Sequence, residues 1–333
     1  MKALSVIIPA YNASEYIDEC IQSTLGIFDI LEDLEIIAVN DGSKDDTLQK
    51  LCRYAEKYPS TVIVVNKENG GHGSGINIGR AKATGRYLKV LDADDYFVTD
   101  ALKKLIQYIR RCEESNTFPD MIANPYKMFW KNGKEIVFDY RRMEPELLYR
   151  VKNLNENGYS IPLHSFTVKT DLYQNNPIPQ IDEKTSYDDI EYILYPMPYI
   201  FSVTFLPDVL YMYRMGSESQ SMSLTNRQNK RFQHEAIIRS LLNYYKANKE
   251  LFNQEQAEYY LARVYGMINS NADIYFSMDD TKAAVDGMKM MLEKFRDVPM
   301  DRINNRKMEL AIKTDYKFFG LLHLYYKYLA KKI

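Results

Sequence analysis

The chain is short of cysteine, tryptophan, net charge and long apolar runs, and each shortage narrows what it can be. Its three cysteines, Cys20, Cys52 and Cys112, are an odd number with no metal-ligand spacing between any pair. That removes a disulfide framework and points to a reducing, cytosolic compartment. The formal charge is -2, so no global basic surface offers itself to nucleic acid. No apolar run is long enough to span a bilayer. The opening run Leu4-Ser5-Val6-Ile7-Ile8-Pro9 is too short for a signal peptide and reads as a first strand. Internal repeats and low-complexity tracts are absent too. What is there is 333 residues, 46% hydrophobic and 26% charged, enough for a large core and more than one domain. The 28 tyrosines against 1 tryptophan suit stacking on bases or sugars, though helix packing accounts for most of them.

The first third alternates strands and helices. Strands are expected at Leu4–Pro9, Leu34–Val39, Thr61–Asn66 and from Tyr87. Helices are expected at Ser14–Thr24 with Ser14 as N-cap, at Asp46–Tyr58, and at Ile76–Thr84 with Gly85 as a left-handed stop. Apolar strands alternating with helices predict an α/β fold with a mostly parallel, doubly wound sheet. A helix follows from Asp100 to about Cys112. Met121–Trp130 and Glu135–Tyr140 form a hairpin about Asn132-Gly133. From Gln228 onward the pattern is helical, which predicts a C-terminal helical domain over 225–333 after a domain over 1–224.

The stretch Leu91-Asp92-Ala93-Asp94-Asp95 ends the fourth strand in three carboxylates. In extended backbone Asp92 and Asp94 face one side. Two carboxylates converging at a strand end suit a hard cation such as Mg²⁺ or Mn²⁺, completed by water and phosphate. Two more polar clusters follow strands, Pro9-Ala10-Tyr11-Asn12 and Asn40-Asp41-Gly42-Ser43, and a glycine-rich loop runs Asn69-Gly70-Gly71-His72-Gly73-Ser74-Gly75. In a parallel sheet these share one edge, where ligands bind. Tyr11 could stack on a base, Asp41 could accept the imide N–H of uracil, and Gly70, Gly71 and Gly73 admit close backbone approach. His72 reads as a loop-surface histidine with a diphosphate contact as the alternative.

These motifs, with Asn77-Ile78-Gly79, resemble in type and order the family-two glycosyltransferases of GT-A fold, over residues 9–95. The resemblance implies a nucleotide-sugar donor, usually UDP-linked, a divalent metal (Mn²⁺ or Mg²⁺) and inversion at the anomeric carbon. It implies a nucleotide site of Pro9, Ala10, Tyr11, Asn12, Asp41, Gly71, Asn77, Asp92 and Ala93. The metal falls to Asp94 with Asp92, while Asp95 holds the loop or sits near the sugar. Ile76 stands where the family often carries an arginine. Inverting transfer also needs a base for the acceptor hydroxyl. The family places Glu-Asp at a helix start in this part of the chain. Here the pair is Asp188-Asp189, with Asp189 the candidate base and Asp188 the alternative; bare complementation of the helix dipole is the competing account. Arg214, in Leu210-Tyr211-Met212-Tyr213-Arg214, is a diphosphate candidate. So is the polar run Ser219-Gln220-Ser221-Met222-Ser223. His164 is a candidate acceptor contact.

Residues 313–333 carry lysines around Tyr316, Phe319, Leu322, Leu324, Tyr325, Tyr328 and Leu329. Such a segment either packs on the protein or lies on an anionic membrane surface, which would suit a lipid-linked acceptor. The expectation is a cytoplasmic, metal-dependent hexosyltransferase. It would transfer from a UDP-sugar to a saccharide or lipid-linked saccharide in cell-surface or exopolysaccharide synthesis, with a homo-oligomer allowed. The alternatives are a non-catalytic nucleotide-sugar-binding module and an Asp-dependent phosphatase.

Overall fold

A strand buried on both faces needs apolar residues at nearly every position, and β1 (Leu4–Ala10) and β2 (Leu34–Asp41) are buried at every residue. The computed structural model describes residues 1–216, 224–299, 302–303 and 305–330. The run Ser219 to Ser223 therefore lies outside the described residues. β3 (Val62–Lys67) and β4 (Tyr87–Val90) complete a parallel quartet in the order β3-β2-β1-β4. The chain steps outward from β1 to β3 and then returns across β1 to β4. That reversal is a topological switch point, so the carboxyl ends of β1, β2 and β4 open on one crevice.

Four further strands extend this sheet: β6 (Met121–Ala123), β9 (Tyr149–Arg150), β10 (Phe166–Lys169) and β11 (Ser202–Phe205). β10 runs antiparallel between β4 and β6, β11 parallel to β6, and β9 antiparallel at the edge. β5 (Tyr96–Phe97), β12 (Tyr211–Met215), β7 (Tyr126–Trp130) and β8 (Glu135–Phe138) form a second sheet in that order. The hairpin of β7 and β8 turns at Gly133, where φ is 84°. The expected single strand from Met121 to Trp130 is broken at Asn124-Pro125, and its halves serve different sheets.

Helices α1 (Ile17–Leu25), α2 (Thr47–Lys57), α3 (His72–Lys82), α4 (Thr99–Ser115), α5 (Val151–Asn157), α6 (Thr170–Asn175) and α7 (Asp188–Leu194) accompany the sheets. Three local expectations fail. Ser14 caps nothing: α1 starts at Ile17, and the Ser14 N–H donates instead to Asp45 Oδ2 at 3.0 Å. α3 begins four residues early, so most of the glycine-rich loop is helix. The helix lies so close to β1 that a Cβ on Gly79 would stand 2.2 Å from Ile7 Cγ2. Gly85 is not a left-handed stop. The helix ends through extended Ala83, and Gly85 instead lets the chain pass Ser5, whose N would lie 2.6 Å from a Cβ. One buried acid holds this neighbourhood: Glu35 accepts from Ser5 Oγ at 2.5 Å and from Thr84 N and Oγ1 at 2.9 and 2.8 Å.

The chain divides into one unit of Met1–Ser217 with Glu250–Ala257 and another of Glu218–Lys249 with Glu258–Ile333. The second holds α8 (Leu224–Asn229), α9 (Arg231–Ala247), most of α10 (Gln254–Ser277), α11 (Thr281–Lys294), α12 (Arg306–Lys313) and α13 (Phe319–Ala330). Its core packs Ile237, Leu241, Tyr260, Ile268, Tyr275 and Met288. Buried Glu235 is satisfied there by Tyr275 Oη and Lys294 Nζ, both at 2.5 Å. No helix among the described residues is long and apolar enough to cross a membrane.

Candidate active site

The strand β4 stops at Val90, and the acids that follow form a turn, closed by Asp95 N–H donating to Asp92 O at 3.0 Å. Asp92 and Asp94 therefore do not share a side through extended backbone; the turn gathers them instead. Asp95 is buried and tied across to β12. It accepts from Tyr211 Oη at 2.8 Å and from Arg214 N–H at 2.7 Å, while Asp92 N–H donates to the same Tyr211 Oη at 3.1 Å. Burial, with Asp94 and Asp92 beside it, holds the Asp95 carboxyl well above its ordinary range.

His72, the first residue of α3, joins two carboxylates from distant parts of the chain. Its Nε2 lies 3.0 Å from Asp92 Oδ1 and its Nδ1 3.1 Å from Asp188 Oδ1. Burial alone would discharge the imidazole, but Asp188 and Asp92 outweigh it and hold the imidazolium well above its usual pKa. The exchange is mutual: burial would raise Asp92, yet His72 pulls its carboxyl below the usual value. Asp188 is almost wholly buried at the start of α7, and among the described residues its Oδ2 has no hydrogen-bond partner. That oxygen sits against Gly73, where a Cβ would approach it to 2.9 Å. Tyr187, just before the helix, holds a left-handed φ of 70°. A non-glycine residue there costs free energy, a strain that concentrates at functional positions.

Asp189 follows on the half-buried first turn of α7. Burial raises the Tyr213 hydroxyl, and Asp92, Asp95, Asp94 and Asp189 all push it the same way, so one field embraces both acidic clusters. Asp94 is pushed up to about 6 by burial and by the charge of Asp92, against the pull of Arg214 and His72.

Residues 5–169 match the family model described as Glycosyl transferase family 2. The chain carries a family 2 glycosyltransferase domain. A poly(ribitol-phosphate) beta-glucosyltransferase of Bacillus spizizenii is 28% identical over 183 residues, 52% of this chain and 29% of that protein. The minor teichoic acid biosynthesis protein GgaB of Bacillus subtilis is 26% identical over 238 residues, 70% of this chain and 25% of that one. The match thus spans less than a third of either curated relative. The structure of S. aureus TarS 1–349 in complex with UDP-GlcNAc superposes with a TM-score of 0.65 at 22% identity, covering 98% of this chain and 92% of that one. The GT-A fold follows from that likeness, and the phosphatase alternative falls with the family match.

Among the described residues, two settings at the acid turn bear on a divalent cation. Asp94 is a desolvated oxygen donor crowded by Asp92 and Asp95, an environment that a hard cation would relieve. Among the described residues no side chain donates a hydrogen bond to its carboxylate. Ligand atoms of Asp92, Asp95 and His164 also lie within 4.8 Å of one another. That grouping fits a cation less well, because Tyr211 and Arg214 already take both oxygens of Asp95.

The other residues named from sequence divide between crevice and scaffold. Pro9 and Ala10 close β1 and Ala93 lies in the acid turn, all three buried, whereas Tyr11 is exposed with its ring available for stacking. Asn12 ties β1 to the segment after β2, accepting from Lys44 N–H at 2.8 Å. Asp41 accepts from Lys67 Nζ at 2.6 Å and from the N–H groups of Gly70 and Gly71 at 2.8 and 2.7 Å, so it braces the glycine turn. A carboxylate has about four lone-pair positions, which leaves room for one more donor. Gly71 holds φ 88° there, a value that favours glycine. Asn77 has both ends of its amide on Ile181, at 2.9 Å each.

Arg214 donates from Nε to Asp94 O at 2.9 Å, pairs with Glu19 at 2.5 Å and lies over the Tyr16 and Phe129 rings. His164 stacks between Tyr126 and Tyr213, and burial drops it to about 4. Sequence reasoning undervalued His72. The available signal was an ionisable ring at the mouth of a ligand-facing glycine turn. It missed Lys89 altogether, a wholly buried amine under the site that donates to the His164 carbonyl at 3.0 Å and that burial lowers to about 7.

Proposed function

We propose that the domain transfers a hexose, with inversion, from a UDP-sugar to a hydroxyl of a cell-surface saccharide or lipid-linked saccharide, with residues 1–224 as the catalytic part and 225–333 as a helical domain. The observation that carries the reading is the His72 bridge of 3.0 and 3.1 Å. It links the acid turn at the donor crevice to the start of α7, where the neighbouring Asp189 can serve an acceptor. Tyr11 stacks on the base and Asp41 takes the imide N–H in its remaining acceptor position. Asp94, with Asp92 beside it, would hold Mn²⁺ or Mg²⁺, which supplies compensation for the charge of the departing diphosphate.

The Asp189 carboxylate removes the acceptor proton as the acceptor oxygen attacks the anomeric carbon. The bond from that carbon to the diphosphate oxygen breaks and UDP leaves. Support for a UDP donor comes from the fold neighbour solved with UDP-GlcNAc. Support for a polymeric acceptor and a β product comes from the name of the Bacillus spizizenii relative, poly(ribitol-phosphate) beta-glucosyltransferase; from an α-linked donor, a β product requires inversion. The test offers the full chain a panel of nucleotide sugars with Mn²⁺. UDP release from a UDP-sugar is expected, and turnover confined to GDP-linked sugars would contradict the proposal.

A further inference from the structure

The helix α13 is apolar on two opposite faces. One face is used: Phe319 and His323 are buried, Phe319 stacks on Phe276 at 4.9 Å, and His323 Nδ1 donates to Phe276 O at 2.8 Å. The other face should be polar if solvent were its only neighbour. Instead Phe318, Leu321, Leu324, Tyr325 and Tyr328 recur at helical spacing and are each 51–64% exposed. Single exposed apolar residues are ordinary, but five on one stripe mark an interaction surface.

Charge identifies the occupant. Residues 316–333 contain Lys317, Lys327, Lys331 and Lys332 and no aspartate or glutamate, in a chain whose formal charge is -2. Lys327 is paired with Asp279, so the segment's formal positive charge rests on Lys317, Lys331 and Lys332, the last two outside the described residues. Two copies meeting through this face would bring lysines against lysines with no carboxylate in the segment to offset them. An anionic bilayer offers acyl chains to the leucines and phenylalanine, phosphates to the lysines, and a headgroup layer where tyrosine rings settle.

We propose that the outward face of α13 docks on an anionic phospholipid surface, lying in the interface rather than crossing it. The proposal stands on the helical unit alone and does not depend on the catalytic reading. It is tested by flotation of the full chain with phosphatidylcholine vesicles, with or without a third of phosphatidylglycerol. Binding is expected only with phosphatidylglycerol, weakened by high salt. The double variant L321D/L324D should bind at least about tenfold more weakly, and K331E/K332E should lose part of the binding, since both anchors contribute. The varied leucines are exposed, so far-UV circular dichroism and the melting temperature of L321D/L324D should match the parent. A parent that stays with the protein pellet in phosphatidylglycerol would overturn the proposal. So would undiminished binding of a folded L321D/L324D, or a dimer by light scattering that L324D dissolves.

Discussion

Lys89→Met tests how dry the floor of the crevice is. Lys89 is fully buried between the rings of Phe97 and Tyr211, and burial lowers its amine from 10.5 to about 7. Above pH 10.5 the amine is neutral folded and unfolded, and its titration costs nothing. As pH falls toward 7, the unfolded chain takes a proton that the folded chain refuses, so stability is lost progressively. Below 7 both states are protonated and the loss is complete. Lowering the amine from 10.5 to about 7 corresponds to about 5 kcal/mol at most, at roughly 1.4 kcal/mol per pH unit. The variant also leaves the His164 carbonyl without its donor, at a cost of about 1–3 kcal/mol. At pH 6 the net gain for Lys89→Met should be about 2–4 kcal/mol. The constant terms cancel in the slope, which makes the slope the sharper readout. Urea unfolding of both proteins at pH 6, 8 and 9.5 should show their difference constant below 7 and then shrinking by about 1.4 kcal/mol per unit. A difference independent of pH would refute the buried, discharged amine.

His72→Ala should destabilise the fold by about 1–2 kcal/mol, because it leaves Asp92 and Asp188 facing each other without the shared cation. Adding Asp188→Asn should restore part of that loss in urea midpoints, and strict additivity would show that the carboxylates do not repel. Asp94→Ala should abolish the part of UDP binding that depends on Mn²⁺, read by titration calorimetry with and without chelator; unchanged Mn²⁺ dependence would move the cation elsewhere.

The parallel quartet was legible because β1 and β2 are buried on both faces and write that burial as largely apolar runs, interrupted at Ser5 and Glu35. The crevice was legible because three polar clusters each follow such a run. What was not legible depends on contacts across the fold. Glycines at 73 and 75 read as loop by propensity, yet they lie in the helix and, with Gly79, let it approach Asp188 and β1 closely. Asn77 and Arg214 look like ligand contacts in a linear motif. In three dimensions Asn77 clamps Ile181, and Arg214 lies among aromatic rings against Glu19. His72 could not be ranked from sequence, since its partners Asp92 and Asp188 lie 20 and 116 positions away. The same distance hid the acid turn's attachment to β12 through Asp95 and Tyr211.

The central claim is that Asp189 is the base of a UDP-sugar transferase whose donor site lies at the acid turn. Asp189→Asn keeps the size of the side chain and removes its basicity. The most direct measurement is UDP release with acceptor present, set beside UDP-sugar affinity for the same variant. The account predicts a loss of turnover of at least about a hundredfold, in line with a positioned general base, at nearly unchanged donor affinity. Turnover that survives in Asp189→Asn would contradict it.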